Sequence, residues 1–535
     1  MCRDPDSSSQ RTAKLSHLPG GLVALAFLVI GLFTLQDYGF TNDEGFTYHA
    51  ARSNLQVVQA LLQGRIEPQW LGHDLRGYYF VLDTVRGAIA ELVMLCSGTT
   101  SYIEAFHLAN LTLAALSIYV LFAIALQLTG DARIGTFAAL TLALFPGFIA
   151  HSQNNPKDLI ALFAFTQGIY CILRASQVRT WSAWAVGGVS LGLLLTSTTL
   201  GVLVVPILAI WLAVQSPRQT LGDWKGFLLL GLVGGVCALL FWPWLWDDPV
   251  RKLLASIEYV TTFSWTTQEL HLGTTHSAQS LPWHYFIVNF IAAAPLSLLI
   301  LALASPLAWS RLRAADPRLR RMALLAWLWF VIPLVVEANA PSRYGVLRHF
   351  LLTLPGFALA CGVGAELLYR TLLASGRVQR FRVSSLGAAA IVGILFVDVL
   401  IADIRMHPYQ GAFLNRITNA LIPGEAQQYF LLEYFGHQYK EGSEWLNANA
   451  EPNAQVFVPI NPHVASKTLG YSPSKGTIEQ FLDTSRPRYL MFITRVTSYT
   501  DLIRFADERY EPVFSIRRQK ATLLKIIKNR RDRDG

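Results

Sequence analysis

Two adjacent carboxylates, Asp43 and Glu44, follow directly on the first apolar run of the chain, residues 18–35. The surrounding stretch, YGFTNDEGFTYH at 38–49, is rich in aromatic side chains and ends in His49. Carboxylates at such a position could take a proton from a nucleophile, bind a polar substrate or help to hold a cation. A solvated loop after a first membrane span would look the same, so the residues further along must decide between the two interpretations.

Lys157 and Asp158 stand at a second boundary, directly after Pro156, which is well placed to begin a helix. The positive pole of that helix favours an anion there. In one interpretation Asp158 caps the helix and Lys157 extends towards water. In the other, Asp158 positions a donor, an acceptor or a cation, and Lys157 meets a phosphate.

Arg343, Arg348 and His349 stand at a third boundary, before another apolar run. A guanidinium matches phosphate oxygens bidentately and stays charged, so these residues predict a phosphate clamp. Ordinary anchoring at a membrane surface is the alternative.

Tryptophans cluster at 241–249 (FWPWLWDDP), and a similar segment, LPWHYF, follows at 281–286. They fit an aromatic belt at a membrane boundary as well as a sugar-stacking surface. The polar segment between them could cover a site or simply connect two spans.

The elements that position these residues are membrane spans. Of the 535 residues, 53% are hydrophobic and 15% are charged, and the apolar residues come in long runs, which indicates a polytopic α-helical membrane protein. Eleven spans are predicted, at 18–36, 105–128, 134–150, 159–175, 181–196, 200–215, 226–246, 285–309, 322–337, 349–369 and 384–404. The fifth and sixth could instead form one re-entrant pair. The five cysteines indicate no disulfide framework, because none lies in the polar C-terminal segment.

The loops between the spans are strongly asymmetric in charge. With the N-terminus in the cytoplasm, seventeen Lys and Arg residues fall in inside loops and three in short outside loops. The net charge of +9 is therefore an orientation signal rather than a sign of nucleic-acid binding. This orientation places all three polar boundaries outside, together with a long first outer loop, 37–104, and a second, 242–284. Within the first loop, 54–63 and 78–96 have the spacing of interfacial helices.

Residues 405–535 form a small extracytoplasmic α/β domain in this prediction, after a transmembrane catalytic domain of residues 1–404. Strands are expected at 456–460, 489–493, 513–516 and 521–527, and helices at 477–482 and 501–510.

The chain resembles the GT-C glycosyltransferases that use lipid-phosphate sugars, and among them the protein O-mannosyltransferase branch, glycosyltransferase family 39. The resemblance rests on six pieces in order: 42–46 (NDEGF), 155–158 (NPKD), 242–249, 281–286, 348–351 (RHFL) and 406–410 (MHPYQ). It implies the GT-C fold and makes Asp43 the catalytic base, with Glu44 beside it. Relatives often place an Arg near the start of the second span, where this chain has His107, so one contact to the donor phosphate depends on Arg348 instead.

The function implied is transfer of a hexosyl or pentosyl group from a polyprenyl-phosphate donor to an acceptor hydroxyl, outside the cytoplasm and with inversion. The acceptor is a protein, a lipid or a glycan, and the location is a bacterial inner membrane. No cofactor is required by the sequence, although a divalent cation is compatible with it. A carrier or flippase for a lipid-linked sugar is the alternative. It would bury its ionisable residues near the membrane centre, whereas here they gather at one face.

Overall fold

The computed structural model describes residues 6–65, 80–98, 101–215, 221–311, 316–374, 384–432 and 436–529, and these are mostly helical. The helices before residue 410 are α1 Asp6–Phe33, α2 Asn42–Leu62, α3 Phe80–Ser97, α4 Tyr102–Thr129, α5 Ala132–Ala143, α6 Pro146–Asn154, α7 Pro156–Val178, α8 Trp181–Leu195, α9 Val204–Gln215, α10 Trp224–Phe241, α11 Pro249–Thr262, α12 Tyr285–Ala293, α13 Leu296–Arg311, α14 Pro317–Ala338, α15 Val346–His349, α16 Leu354–Ala374 and α17 Ser385–Met406. A hairpin of β1 Gln268–His271 and β2 Thr274–Ser277 lies between α11 and α12.

Every predicted span coincides with apolar helix, because a helix satisfies its backbone hydrogen bonds internally where water is absent. Among the described residues, seven helices are long and apolar enough to cross a membrane: α1, α4, α7, α10, α14, α16 and α17. The chain is therefore a polytopic membrane protein. The exact number of crossings stays a prediction, because α8 and α9 are short and two further spans are bent.

The two bent spans have a proline at the break. α5 and α6 meet at 65° and α12 and α13 at 117°. Pro146 and Pro295 stand at these breaks, where proline lacks the N–H that would continue the helix and disfavours helical geometry in the preceding residue. The first bend has a consequence for the site, because the end of α6 reaches the start of α2. There the Thr41 hydroxyl donates to the Asn154 carbonyl at 3.1 Å.

The first outer loop contains two helices, as predicted, but α2 begins twelve residues earlier than expected and includes Asp43 and Glu44 in its first turn. α3 packs on α2 and α4. Its Arg86 is buried, where it pairs with Asp83 and donates to Asn110 and to the Pro156 carbonyl at 2.9 Å each. This buried arginine links α3 to the beginning of α7.

The C-terminal region is a small α/β unit, as predicted. It comprises α18 Arg416–Leu421, α19 Tyr439–Asn449, β3 Gln455–Phe457, α20 Pro462–Ala465, α21 Ile478–Leu482, β4 Arg488–Ile493, α22 Asp501–Arg509, β5 Phe514–Arg518 and β6 Ala521–Lys528. The strands form one sheet in the order β3-β4-β6-β5, with β3 parallel to β4 and the other pairs antiparallel. Every residue of β4 is buried.

The buried residues form two apolar cores. One lies among the membrane helices. The second joins the C-terminal sheet to Phe40 and Tyr48 of the first outer loop and to Phe106 at the start of α4. The C-terminal unit is thereby seated on the same end of the helices that carries α2.

Candidate active site

A cavity of about 1240 Å³ lies where the C-terminal unit meets the membrane helices. It is lined by the beginnings of α2 and α7, the turn 198–200, the hairpin, the segment 336–349 and loops of the C-terminal unit. Ligand sites in proteins commonly measure about 300–1,000 Å³. The cavity therefore has room for the head of a large ligand, and it collects most of the residues singled out in the sequence.

Asp43 lies on the cavity wall between two cations. Its Oδ2 atom is 3.0 Å from Nη1 of Arg348 and 3.7 Å from Nζ of Lys157. Arg348 comes from α15, 305 residues later in the chain, and Lys157 from the first turn of α7. The three side chains are partly exposed and lie on one wall of the cavity.

Aromatic rings support both cations. The Lys157 ammonium lies 5.2 Å from the centre of the Phe46 ring, and the Arg348 guanidinium lies 5.1 Å from that of Tyr344. Cation–π contacts of this kind add about 0.5–2 kcal/mol. Asp43, Arg348 and Lys157 together carry one more positive than negative charge, so an anion could pair with either cation beside Asp43.

Asp158 also lines the cavity. Asn155 caps α7 by accepting from the Asp158 N–H at 3.1 Å, while its amide donates to the Asp158 carboxylate at 2.9 Å. The amide of Asn155 also lies 3.1 Å from Nδ1 of His151. The cap residue of α7 is therefore Asn155 and not Asp158, whose carboxylate accepts from Asn155 and lines the cavity. A role of Asp158 in positioning a ligand stays a prediction.

Glu44 points away from the cavity and is fully buried. Its Oε2 atom accepts from the Thr41 N–H at 2.6 Å and lies 3.0 Å from the Thr41 hydroxyl oxygen. Its Oε1 atom lies 2.6 Å from Nε2 of His107 and 3.2 Å from the Tyr48 hydroxyl. Burial raises the pKa of Tyr48 well above its usual range, so this hydroxyl stays a donor.

These contacts change the interpretation of two predicted site residues. With both oxygens of Glu44 already occupied, this carboxylate holds the first turn of α2 rather than facing an acceptor. His107, expected near the donor phosphate, is completely buried and faces Glu44. Neither side chain lines the cavity.

Of the other predicted phosphate ligands, Arg343 does not line the cavity, whereas His349 and Arg348 do. A guanidinium N–H of Arg343 donates to the Ala338 carbonyl at 3.2 Å and so caps the end of α14. His349 lines the cavity, with Nδ1 3.3 Å from Oε2 of Glu337. Arg348 is therefore the arginine of this segment that reaches Asp43.

Glu269 of β1 and Arg495 after β4 are charged residues of the cavity that were not predicted as site residues. Glu269 accepts from the Tyr285 hydroxyl at 2.8 Å and lies 3.5 Å from Nη2 of Arg495. Burial raises the pKa of Glu269, and Arg495 opposes that rise. In the sequence, each of these two residues stands apart from other candidate site residues. Only the contact between them in the folded chain shows that they belong to the cavity.

Among the described residues, no group of three His, Cys, Asp or Glu side chains is arranged to hold a metal ion. Asp43 and Asp158 are the acidic residues nearest to the predicted chemistry that line the cavity. The need for a divalent cation stays a prediction to be tested.

Residues 87–246 match the protein family described as dolichyl-phosphate-mannose-protein mannosyltransferase. The predicted resemblance to this GT-C family is confirmed. The match covers less than a third of the chain and includes His107, Lys157 and Asp158. It does not include Asp43 or Arg348, whose assignment rests on the cavity geometry.

Several solved structures are similar to the chain at low identity. The crystal structure of ArnT from Cupriavidus metallidurans bound to undecaprenyl phosphate is 14% identical, with a TM-score of 0.49, over 96% of this chain and 98% of its own. AglB, the oligosaccharyltransferase of Archaeoglobus fulgidus, is 12% identical, with a TM-score of 0.48, over 94% of this chain and 73% of its own. The Pmt1–Pmt2 protein O-mannosyltransferase of S. cerevisiae is 14% identical, with a TM-score of 0.33, over 48% of this chain and 39% of its own. At such identities their ligands do not define those of this chain, and no curated protein matches the sequence.

Proposed function

We propose that the protein transfers a glycosyl group from a polyprenyl-phosphate-linked donor to an acceptor hydroxyl in the cavity, with inversion at the anomeric carbon. The observation that carries this proposal is the placement of Asp43 between Arg348 and Lys157 on one wall of a membrane-facing cavity. The family match, which includes Lys157 and Asp158, supports a glycosyltransferase with a lipid-phosphate donor.

The two cations are the expected ligands of the donor phosphate. In the absence of donor they pair with Asp43, and the donor phosphodiester, which carries one negative charge, would offer them a second anionic partner. Charge builds up on the phosphate as its bond to the sugar breaks, and cations already in place stabilise that charge. The planar guanidinium of Arg348 can donate two parallel hydrogen bonds to the phosphate, whereas the Lys157 ammonium contributes a compact positive charge.

Redistribution of these cations would free Asp43 for proton transfer. The acceptor oxygen forms a bond to the anomeric carbon, its proton passes to the Asp43 carboxylate, and the bond between the anomeric carbon and the phosphate oxygen breaks. The lipid phosphate leaves with the electron pair of that bond. Positioned general-base catalysis of this kind accounts for about 10²–10⁴-fold in rate.

The side of the membrane follows from the charge asymmetry of the loops, which predicts that the cavity lies outside the cytoplasm. A bacterial inner membrane with an extracytoplasmic C-terminal unit is part of the proposal. The acceptor is a hydroxyl on a protein, a lipid or a glycan, and the reaction product must distinguish these classes.

The test is transfer by the purified protein in lipid nanodiscs, with radiolabelled polyprenyl-phosphate sugars as donors and a membrane extract as acceptor. Identification of the labelled product by mass spectrometry defines the sugar and the acceptor, and a chelator added in parallel reports on a divalent cation. A carrier or flippase would instead move the intact donor across sealed vesicles without forming a new glycosidic bond. Such movement, with no transferred product from any donor, would contradict the proposal.

A further inference from the structure

α11, Pro249–Thr262, is a helix in the polar segment for which two roles were left open, a cover over a site and a connector between two spans. Asp248 caps it by accepting from the Arg251 N–H at 3.2 Å, and Pro249 opens its first turn. The helix packs on the turn Pro243–Leu245, and nearly all of its described side chains are half-buried or exposed. A 14-residue helix with so little protein around it requires another source of stability.

Four large aliphatic side chains of α11 lie on one face. Val250, Leu253, Leu254 and Ile257 have the i, i+3, i+4, i+7 spacing of a single helical stripe. Their exposed fractions are 70%, 44%, 60% and 52%. The opposite side carries Arg251, Ala255, Glu258 and Thr262.

The position of α11 in the chain places it beside the membrane. α10 is long and apolar enough to cross a bilayer and ends at Phe241. The tryptophan turn that follows is folded back on it, because the Trp246 indole donates to the Leu239 carbonyl at 2.8 Å. Leu239 and Leu240 are themselves exposed at the end of the span, and α11 begins eight residues after that end, at Pro249.

We propose that α11 lies flat on the bilayer surface, with its apolar stripe buried among the lipids next to the end of α10. A helix with a clear apolar face and a polar face, adjoining a span but unable to cross, is the type that binds in the interfacial layer. The lipid surface of the membrane that holds α10 is the occupant of this face. The C-terminal end of α11 then holds Tyr259 and Phe263, which line the cavity, at the lipid boundary.

The experiment compares two neighbouring exposed positions on opposite faces, Ile257→Cys and Ala255→Cys. The background carries Cys2→Ser and Cys96→Ser, and the parent without an introduced cysteine measures labelling at the native sites. Nitroxide labels are read by electron paramagnetic resonance in nanodiscs of phosphatidylethanolamine and phosphatidylglycerol. Oxygen, which concentrates in lipid, should relax the label at Ile257. A water-soluble nickel chelate should relax the label at Ala255.

Two results would overturn the proposal. Equal access of the nickel chelate to both labels would show that the apolar stripe faces water. Spin–spin broadening at Ile257 that disappears on dilution with unlabelled protein would show that a second copy of the chain covers the stripe. A further variant, Leu254→Glu combined with Ile257→Glu, should raise nickel access at a label on Leu253→Cys if lipid burial holds the helix in place, and unchanged access there would count against it.

Discussion

Nε2 of His107 lies 2.6 Å from Oε1 of Glu44, and both side chains are completely buried. The neighbouring Asp43 points the other way, into the cavity and towards Arg348. Two consecutive carboxylates therefore have different surroundings. Glu44 ties the first turn of α2 to α4, and Asp43 is the residue that the proposed function makes the general base.

Replacement of Asp43 by Asn should lower turnover by about 10²-fold or more, because the amide keeps the size of the side chain but cannot take the proton. The variant should still be expressed, and a lipid-donor binding assay on the purified variant should give near-normal donor affinity. Near-normal transfer by Asp43→Asn would mean that the base lies elsewhere, and Asp158 would be the next residue to test.

Glu44→Gln and His107→Ala should lower stability by about 1–3 kcal/mol each, since each leaves a buried polar partner unsatisfied. Turnover should fall through misplacement of Asp43, with an acid limb still present in the pH–rate profile. Thermal unfolding in detergent and the pH profile give the two readouts. Loss of the acid limb in Glu44→Gln would instead assign the proton-accepting role to Glu44.

Arg348→Lys should weaken donor binding measurably, although the charge is kept, because a lysine cannot supply the two parallel hydrogen bonds of the guanidinium. Arg343→Lys is the matched control, because the Arg343 guanidinium binds the Ala338 carbonyl and not Asp43. Donor affinity, measured by competition with the unlabelled lipid phosphate, should fall in the first variant and change little in the second. Equal effects of the two substitutions would contradict a direct phosphate contact by Arg348.

Acidification should loosen the hairpin β1–β2 through His271. Burial is the largest cause that lowers the pKa of this histidine, to about 4, followed by repulsion from His284 and His276. The unfolded segment takes up its proton near pH 6.5, so the stability that depends on neutral His271 is complete above about 6.5 and is lost as the pH falls towards 4. The protection factors of residues 268–277, which correct for the slower intrinsic hydrogen exchange in acid, should therefore fall over this range in the parent protein and not in His271→Leu. The same loss of protection in the variant would assign the effect to another group.

The loop charges predict that the C-terminal unit lies outside the cytoplasm. Alkaline phosphatase fused after Arg405 should be active, whereas a fusion after Arg313, in a loop predicted to lie inside, should be inactive. Green fluorescent protein at the same positions should give the reverse pattern. A cytoplasmic signal after Arg405 would show that the number of crossings differs from eleven by an odd number.

The spans and the C-terminal strands were predictable because each depends on a local pattern. The run at 384–404 is apolar over the length of a bilayer and forms α17, Ser385–Met406. The strand expected at 521–527 forms β6, Ala521–Lys528. Such patterns indicate which segments are buried or lie in the membrane, and reading them requires no knowledge of tertiary contacts. α11 escaped notice because its apolar stripe is short and lies within a polar, threonine-rich segment.

The residue types that could act at a membrane boundary were determined by the sequence alone, and Asp43, Lys157, Asp158 and Arg348 were all found in this way. Only the tertiary structure decided that Asp43 and Glu44 diverge, that His107 faces Glu44, and that Arg495 reaches Glu269. The physical reason is that the side a residue presents depends on partners far along the chain. Asp43 and Arg348 are 305 residues apart in sequence and 3.0 Å apart in space, a relationship that exists only once the helices have packed.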